Sequence, residues 1–226
     1  MELTKVFFGE EEFYFRNGTS DALLVSKNLI SDSDRDYLFP NINPSVIFDI
    51  GANIGVISFL MSHIYPEARI FSFEPQKDNF EILRLNTQKL PNVSIFNYGL
   101  GASSRKDMLY FSDTPDNFGG YSIFKDYADT TSAPNEIEIK SINSVLDDLQ
   151  ISEIDIIKID CEGAEKEILE SLSCLNRSKY ITGELHGVGE YRILEMLSDN
   201  FNLSFSKKLL ERNFNFSALR KDLCPK

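Results

Sequence analysis

The apolar positions of this chain settle into a repeating pattern near residue 45. Residues 46–50 (VIFDI) are a continuous apolar run broken only by Asp49, as expected of a strand covered on both faces. Residues 55–64 follow with apolar positions at helical spacing. Residues 69–73 predict a second strand, 78–89 a second helix with Asp78 as its N-cap, and 93–96 a third strand. The alternation resumes with a strand at 154–159, a helix at 164–175, a strand at 180–185 and a helix at 190–200. Residues 203–205 and 214–219 then predict a closing antiparallel pair. Strands alternating with helices imply right-handed crossovers, so the expected fold is α/β with a doubly wound, mostly parallel sheet of seven strands.

Two stretches depart from this rhythm. Residues 97–134 are looser: strands are expected at 108–111 and 136–141, a short helix at 142–150, and a loop at 113–122, which is rich in Asp, Asn, Pro and Gly. Residues 1–45 are expected to form a small N-terminal extension, and residues 46–226 the main domain. Within the extension, Val6 to Phe8 and Phe13 to Phe15 predict short strands around an acidic turn. Residues 20–38 read as partly helical, with Pro40 and Pro44 at the end.

Composition narrows the function classes. Thirty-five acidic against 23 basic residues give a net charge of -12, and the basic residues are scattered. Nucleic-acid binding draws most of its affinity from a basic face, so no nucleic-acid partner is expected. Cys161, Cys174 and Cys224 are odd in number and contain no CxxC pair, against a disulfide framework or a thiolate zinc site. The first residues carry no basic region followed by an apolar run, and no stretch approaches the ~18 apolar residues that span a bilayer. The expectation is a reduced, cytoplasmic protein without a membrane partner; its oligomeric state is not legible.

Candidate chemistry concentrates at strand ends. Asp49-Ile50-Gly51-Ala52-Asn53-Ile54-Gly55 joins the first strong strand to its helix, where doubly wound folds bind ligands. Gly51 permits a tight turn and close approach to a ligand, and Gly55 lets the helix start pack on the sheet. A dinucleotide fingerprint would carry a middle glycine near Asn53. Asp49, moreover, would repel a pyrophosphate but suit a cationic group. S-adenosylmethionine carries an ammonium and a sulfonium and no phosphate, which favours it over NAD. Glu74, at the end of the second strand, is placed to accept both ribose hydroxyls.

Lys158 and Asp160 lie two apart on a strand and share a face, at its carboxyl end. Glu165 falls in the first turn of the next helix, where a negative charge is favoured structurally. Glu184 and His186 again lie two apart at a strand end. His186 is the expected general base, a neutral imidazole taking the proton of an acceptor hydroxyl, with Glu184 fixing its tautomer; His63 reads as structural. No metal is assigned, although Asp160, Glu184 and His186 form the set that would hold Mg²⁺.

The stretches VIFDIGANIG, FSFEP, NVSIFNYGLG, GGYS, IKIDCEGAEKEIL and GELHG together resemble the FkbM-type methyltransferase family over residues 45–186. The resemblance implies a class I, Rossmann-like fold and S-adenosylmethionine-dependent O-methylation of a sugar, glycan or natural-product hydroxyl, hence a small-molecule or saccharide acceptor. It assigns Asp49, Gly51, Asn53, Gly55 and Glu74 to the cofactor, puts Asn97 to Leu100 near the adenine, and has Asp160, Glu162, Glu184 and His186 border the acceptor. One departure is Ile142-Asn143, where the family usually has Leu-Asp before the short helix. The loop at 113–122 would lid the site, with Phe118 and Tyr121 either stacking on a sugar or anchoring the loop. An NAD-linked oxidoreductase and a catalytically silent binding module are the competing functions.

Overall fold

The computed structural model describes residues 2–31, 35–112, 114, 116–125, 133–186, 191–206 and 213–224. The chain opens with strands β1 (Leu3–Phe8) and β2 (Glu11–Arg16), paired antiparallel, followed by helix α1 (Ser20–Val25), which runs into a π-helical turn over Ser26–Ile30. The main sheet then begins with β3 (Val46–Ile50), α2 (Val56–Ile64), β4 (Arg69–Phe73), α3 (Lys77–Thr87) and β5 (Val93–Phe96). A side structure comprises β6 (Gly99–Gly101), β7 (Arg105–Leu109) and β8 (Asn135–Ser141). Helix α4 (Ile142–Asp148), β9 (Ile156–Ile159), α5 (Glu165–Ser171), β10 (Tyr180–His186), α6 (Tyr191–Ser198), β11 (Phe201–Ser206) and β12 (Asn213–Arg220) complete the chain.

The seven-stranded sheet has the order β11-β12-β10-β9-β3-β4-β5. Its five-strand half from β10 to β5 is parallel, whereas β12 pairs antiparallel with both β10 and β11. The sheet is therefore mixed: its parallel pairings outnumber the antiparallel ones, which fall at the closing pair β11 and β12 that the sequence reads as antiparallel. A correction concerns residues 99–141: their strands leave the main sheet and form a separate three-stranded one, β6-β8-β7.

Successive strand residues face opposite sides. Phe48 and Ile50 of β3 join α4, α5 and α6 through Ile142, Val145, Ile168, Leu169, Ile193 and Leu197. Ile47 faces the other way, against Val56, Phe59 and Met61 of α2 and Phe13 of β2. Both faces are covered, which is why β3 reads as unbroken apolar sequence. Helix α3 is capped by Gln76, whose side-chain Oε1 accepts from Asn79 N at 2.7 Å, and not by Asp78 as expected. Asn143 likewise does not cap α4: its amide donates to Ser171 O at 2.7 Å and its oxygen accepts from Ser173 N at 3.0 Å, tying α4 to the end of α5. An aspartate there has no donor for the first of these bonds. His63 bonds Phe59 O at 2.8 Å and pairs with Glu11 at 2.8 Å, in keeping with a structural reading.

Candidate functional site

Strands β3, β4 and β9 stop side by side, and the residues that follow them converge on one cavity of about 360 Å³. Ile50, Phe73, Leu100, Ile137 and Ile139 give it apolar walls. Gly51, Asn53, Glu74, Lys158, Asp160, Glu162 and Glu184 supply its polar lining. The N-terminal segment closes it with Leu23, Leu24, Lys27, Asp36 and Tyr37, and Gly119 and Tyr121 cover it from the loop.

The first turn is built from strained backbone. Gly51 has φ +75°, and a Cβ there would lie 1.8 Å from the carbonyl oxygen of Asp160. Close packing of two strand-end backbones is by itself enough to demand glycine here. Gly55, at φ +89°, would meet Leu83 Cδ1 at 2.6 Å, so it seats α2 against α3 and not on the sheet. Asn53 also adopts positive φ, at 51°, and its Nδ2 faces the Gly119 turn. Its buried side-chain oxygen has no hydrogen-bond partner among the described residues.

Glu74 is buried at the end of β4, with Asn53 N donating to Oε2 and Gln76 N to Oε1, each at 2.8 Å. Burial pushes its carboxyl up to about 7, against the two backbone donors that favour the ionised form. Asp49 behaves differently from the expectation. It is fully buried, accepts from Ser58 Oγ, and pairs with Lys158 Nζ at 3.4 Å, so its carboxylate points into the sheet and does not line the cavity. Lys158 lines it instead, donating to Gly51 O at 2.7 Å. Burial would lower the lysine's pKa, but the charges of Asp49 and Asp160 outweigh it and raise the value. Asn97 also stands back from the lining: its amide donates to Glu74 O at 2.9 Å and to Pro75 O at 3.2 Å, bracing the turn that carries Glu74.

Around His186 the structure gathers four carboxylates. Glu165 Oε1 lies 3.2 Å from Nδ1, Glu162 Oε2 lies 3.2 Å from Nε2, and Asp160 and Glu184 follow at 3.8 and 3.9 Å. Glu165 is fully buried and also accepts from Cys161 N and Gly163 N, at 2.8 and 2.9 Å. Glu165, read from sequence as a helix-start charge, is thus the residue that orients the imidazole, and Glu184 is the more distant one. Burial alone would depress the histidine. The Glu165 hydrogen bond and the charges of Glu162, Glu165 and Asp160 override it and push the pKa up to about 11. The four surrounding carboxylates favour the imidazolium, where the sequence reading expects a neutral imidazole. Burial in turn raises Glu162 to about 8; the histidine's charge opposes this and Asp160, Glu184 and Glu165 reinforce it. One ligand atom each from Asp160, Glu162 and His186 lies within 4.8 Å of the others, so the compact candidate metal set has Glu162 where Glu184 was expected.

The loop over the cavity is anchored by Phe118. The guanidinium of Arg16 lies 4.1 Å from the Phe118 ring centre, Phe118 N donates to Ser20 Oγ, and Asn79 donates to Phe118 O. Phe118 is thus an anchor, and Tyr121 is the ring that faces the cavity. The Gly187-Val188-Gly189 turn, Glu190 at the start of the expected last helix, Lys207-Lys208, and Asp113 and Pro115 of the loop lie outside the described residues. Tyr37, whose hydroxyl donates to Asp160 Oδ2 at 2.7 Å, escaped sequence reading altogether, because a lone tyrosine between Asp36 and Leu38 carries no spacing signal.

Five acids, Asp36, Glu74, Asp160, Glu162 and Glu184, border the cavity against two lysines, Lys27 and Lys158. Lys27 pairs with Asp36 at 3.0 Å. This lining suits a ligand that carries positive charge, hydroxyls and an apolar ring. Among the described residues no helix is long and apolar enough to cross a membrane.

Comparison with known proteins gives a family. The model for the methyltransferase FkbM domain matches residues 49–214. "Methyltransferase sdnD" of Sordaria araneosa is 27% identical over 187 residues, covering 70% of this chain and 72% of that protein. The hexuronic acid methyltransferase AglP of Haloferax volcanii is 28% identical over 181 residues, covering 78% and 70%. Among solved structures, the methyltransferase FkbM of Methylobacillus flagellatus superposes with a TM-score of 0.51 at 16% identity, a likeness of fold. It covers 80% of this chain but only 45% of that one.

Proposed function

Because this chain belongs to the FkbM methyltransferase domain family, we propose that it is an S-adenosylmethionine-dependent O-methyltransferase whose acceptor is a saccharide or another small hydroxyl compound. The observation that carries the reading is the acid-lined cavity at the ends of β3, β4 and β9, with Glu74 at one side and the acids around His186 at the other. A hexuronic acid methyltransferase among the relatives supports a sugar acceptor.

Glu74 would accept from the ribose hydroxyls and the Asn53 side-chain oxygen, which has no partner among the described residues, would bind beside it, while the apolar walls would take the adenine. When bound, the cofactor supplies an electrophilic methyl group on a sulfonium. Asp160 Oδ2 accepts from Tyr37, and Oδ1, 3.8 Å from His186 Nε2, is the oxygen that would take the proton of the acceptor hydroxyl. The His186 imidazolium, 3.8 Å from Asp160 and 3.2 Å from Glu162, offsets the negative charge gathered there. Holding acceptor and methyl in line supplies most of the rate, and a general base adds about 10²–10⁴-fold.

Calorimetry tests the reading. The protein should bind S-adenosylmethionine and its demethylated product but not NAD, and Glu74→Ala should lose about 1.5–3 kcal/mol of that affinity. Binding of NAD in their place would select the oxidoreductase. Binding without turnover on any hydroxyl acceptor would select the silent module. A divalent cation at Asp160, Glu162 and His186 is the second reading, favoured by their compact spacing. Turnover lost in chelator and restored by Mg²⁺ would select it; turnover unchanged in chelator would remove it.

A further inference from the structure

Tyr37 lies outside the residues matched by the family model, yet it reaches the centre of the site. Its hydroxyl donates to Asp160 Oδ2 at 2.7 Å, across 123 residues of sequence, and its ring borders the cavity with Lys158 Nζ 5.7 Å from the ring centre. The side chain is buried, and burial together with the charges of Asp160 and Glu184 raises its pKa well above the usual phenol range, so it stays a donor.

The neighbours of Tyr37 are fastened on both sides. Asn215 of β12 donates to Asp36 O at 2.9 Å, and the Tyr180 hydroxyl of β10 donates to Leu38 O at 2.6 Å. Two strands of the main sheet therefore hold the backbone that presents the phenol. Further back, Arg16 ties β2 to α1 and α3, donating to Asp21 at 2.7 Å and to Asn79 at 2.6 Å. A tyrosine serving only as packing would need neither a bond to a cavity carboxylate nor carbonyls pinned at both adjacent residues.

We infer that Tyr37 is a positioning residue of the active site: its phenol fixes the Asp160 carboxylate, with Oδ2 occupied by the phenol and Oδ1 held on the side of His186, where it is the oxygen left to meet the acceptor. The N-terminal segment therefore completes a site that residues 49–214 alone leave open. The inference rests on the proposed methyl transfer for its kinetic consequence but not for its structural one. Asp160 has two oxygens that could meet an acceptor; bonding one of them leaves a single orientation, which matters where small misplacements cost large factors in rate.

Tyr37→Phe keeps the ring and removes only the donor. The full-length variant should melt near the wild-type temperature and bind the demethylated cofactor product within twofold. Its kcat should fall about 10- to 100-fold with little change in either KM, the scale of one lost hydrogen bond to a charged group. Crystal structures of wild type and variant read the positioning directly, and Asp160 should leave its rotamer in the variant. An unmoved Asp160, or a kcat within twofold of wild type, would overturn the inference. If the wild type methylates no hydroxyl acceptor, the functional reading fails, and the Asp160 rotamer still decides the role of Tyr37.

Discussion

At Glu74 a carboxylate meets two backbone donors inside an apolar wall, and burial raises its pKa to about 7. Only the ionised form accepts strongly from ribose hydroxyls, so cofactor affinity should rise as pH climbs through 7 and level off above it. Titration calorimetry at pH 6 and 8 checks this, and the dependence should vanish in Glu74→Gln. His186 gives the opposite sign. Its folded pKa, about 11, lies above the unfolded value near ~6.5, so the stability it contributes is full below pH ~6.5 and is lost as pH rises toward 11. His186→Gln should therefore lower the melting temperature most at pH 6, with the gap to wild type closing in alkali. A gap that widens with pH would mean a neutral imidazole. At this scale the sequence was partly legible. Glu74, Asp160 and His186 stand at strand ends and could be found by position. The protonation of His186 could not, since it depends on Glu162 and Glu165 folding back over the imidazole.

Among the elements, the turn after β3 makes the sharpest demand. Gly51 and Gly9 both have positive φ, but a Cβ on Gly51 would lie 1.8 Å from Asp160 O, whereas one on Gly9 meets nothing within 4 Å. Gly9→Ala should cost about 1–2 kcal/mol for backbone strain alone. Gly51→Ala should cost more than about 4 kcal/mol or prevent folding. Urea denaturation of both compares them, and equal losses would remove the backbone contact as the cause. Strands β3, β4, β9 and β10 were legible because burial on both faces leaves each of them rich in apolar residues. The departure of β6, β7 and β8 into their own sheet was not. Alternation in the β8 segment says that one face is covered, without saying by which sheet.

For the whole molecule, the N-terminal segment and the loop over the cavity act as one cover. Arg16 is buried between Asp21, Asn79 and the Phe118 ring, so it joins β2, α1, α3 and the loop. Arg16→Ala would strand Asp21 without its charge partner and should cost about 3–5 kcal/mol. Hydrogen exchange at Phe118 N, which donates to Ser20, should accelerate by more than at the core amides of β3. This cover was the least legible part of the site. It depends on contacts such as Arg16 with Asn79, 63 residues apart, and no local pattern records them. The most direct test of the central claim is transfer of an isotopically labelled methyl group from S-adenosylmethionine to a panel of hydroxyl acceptors, hexuronic acids included, followed by mass spectrometry. A labelled O-methyl product, formed by wild type and strongly reduced in Asp160→Asn, is the predicted result. Label on nitrogen or carbon, or product formed equally well by Asp160→Asn, would contradict it.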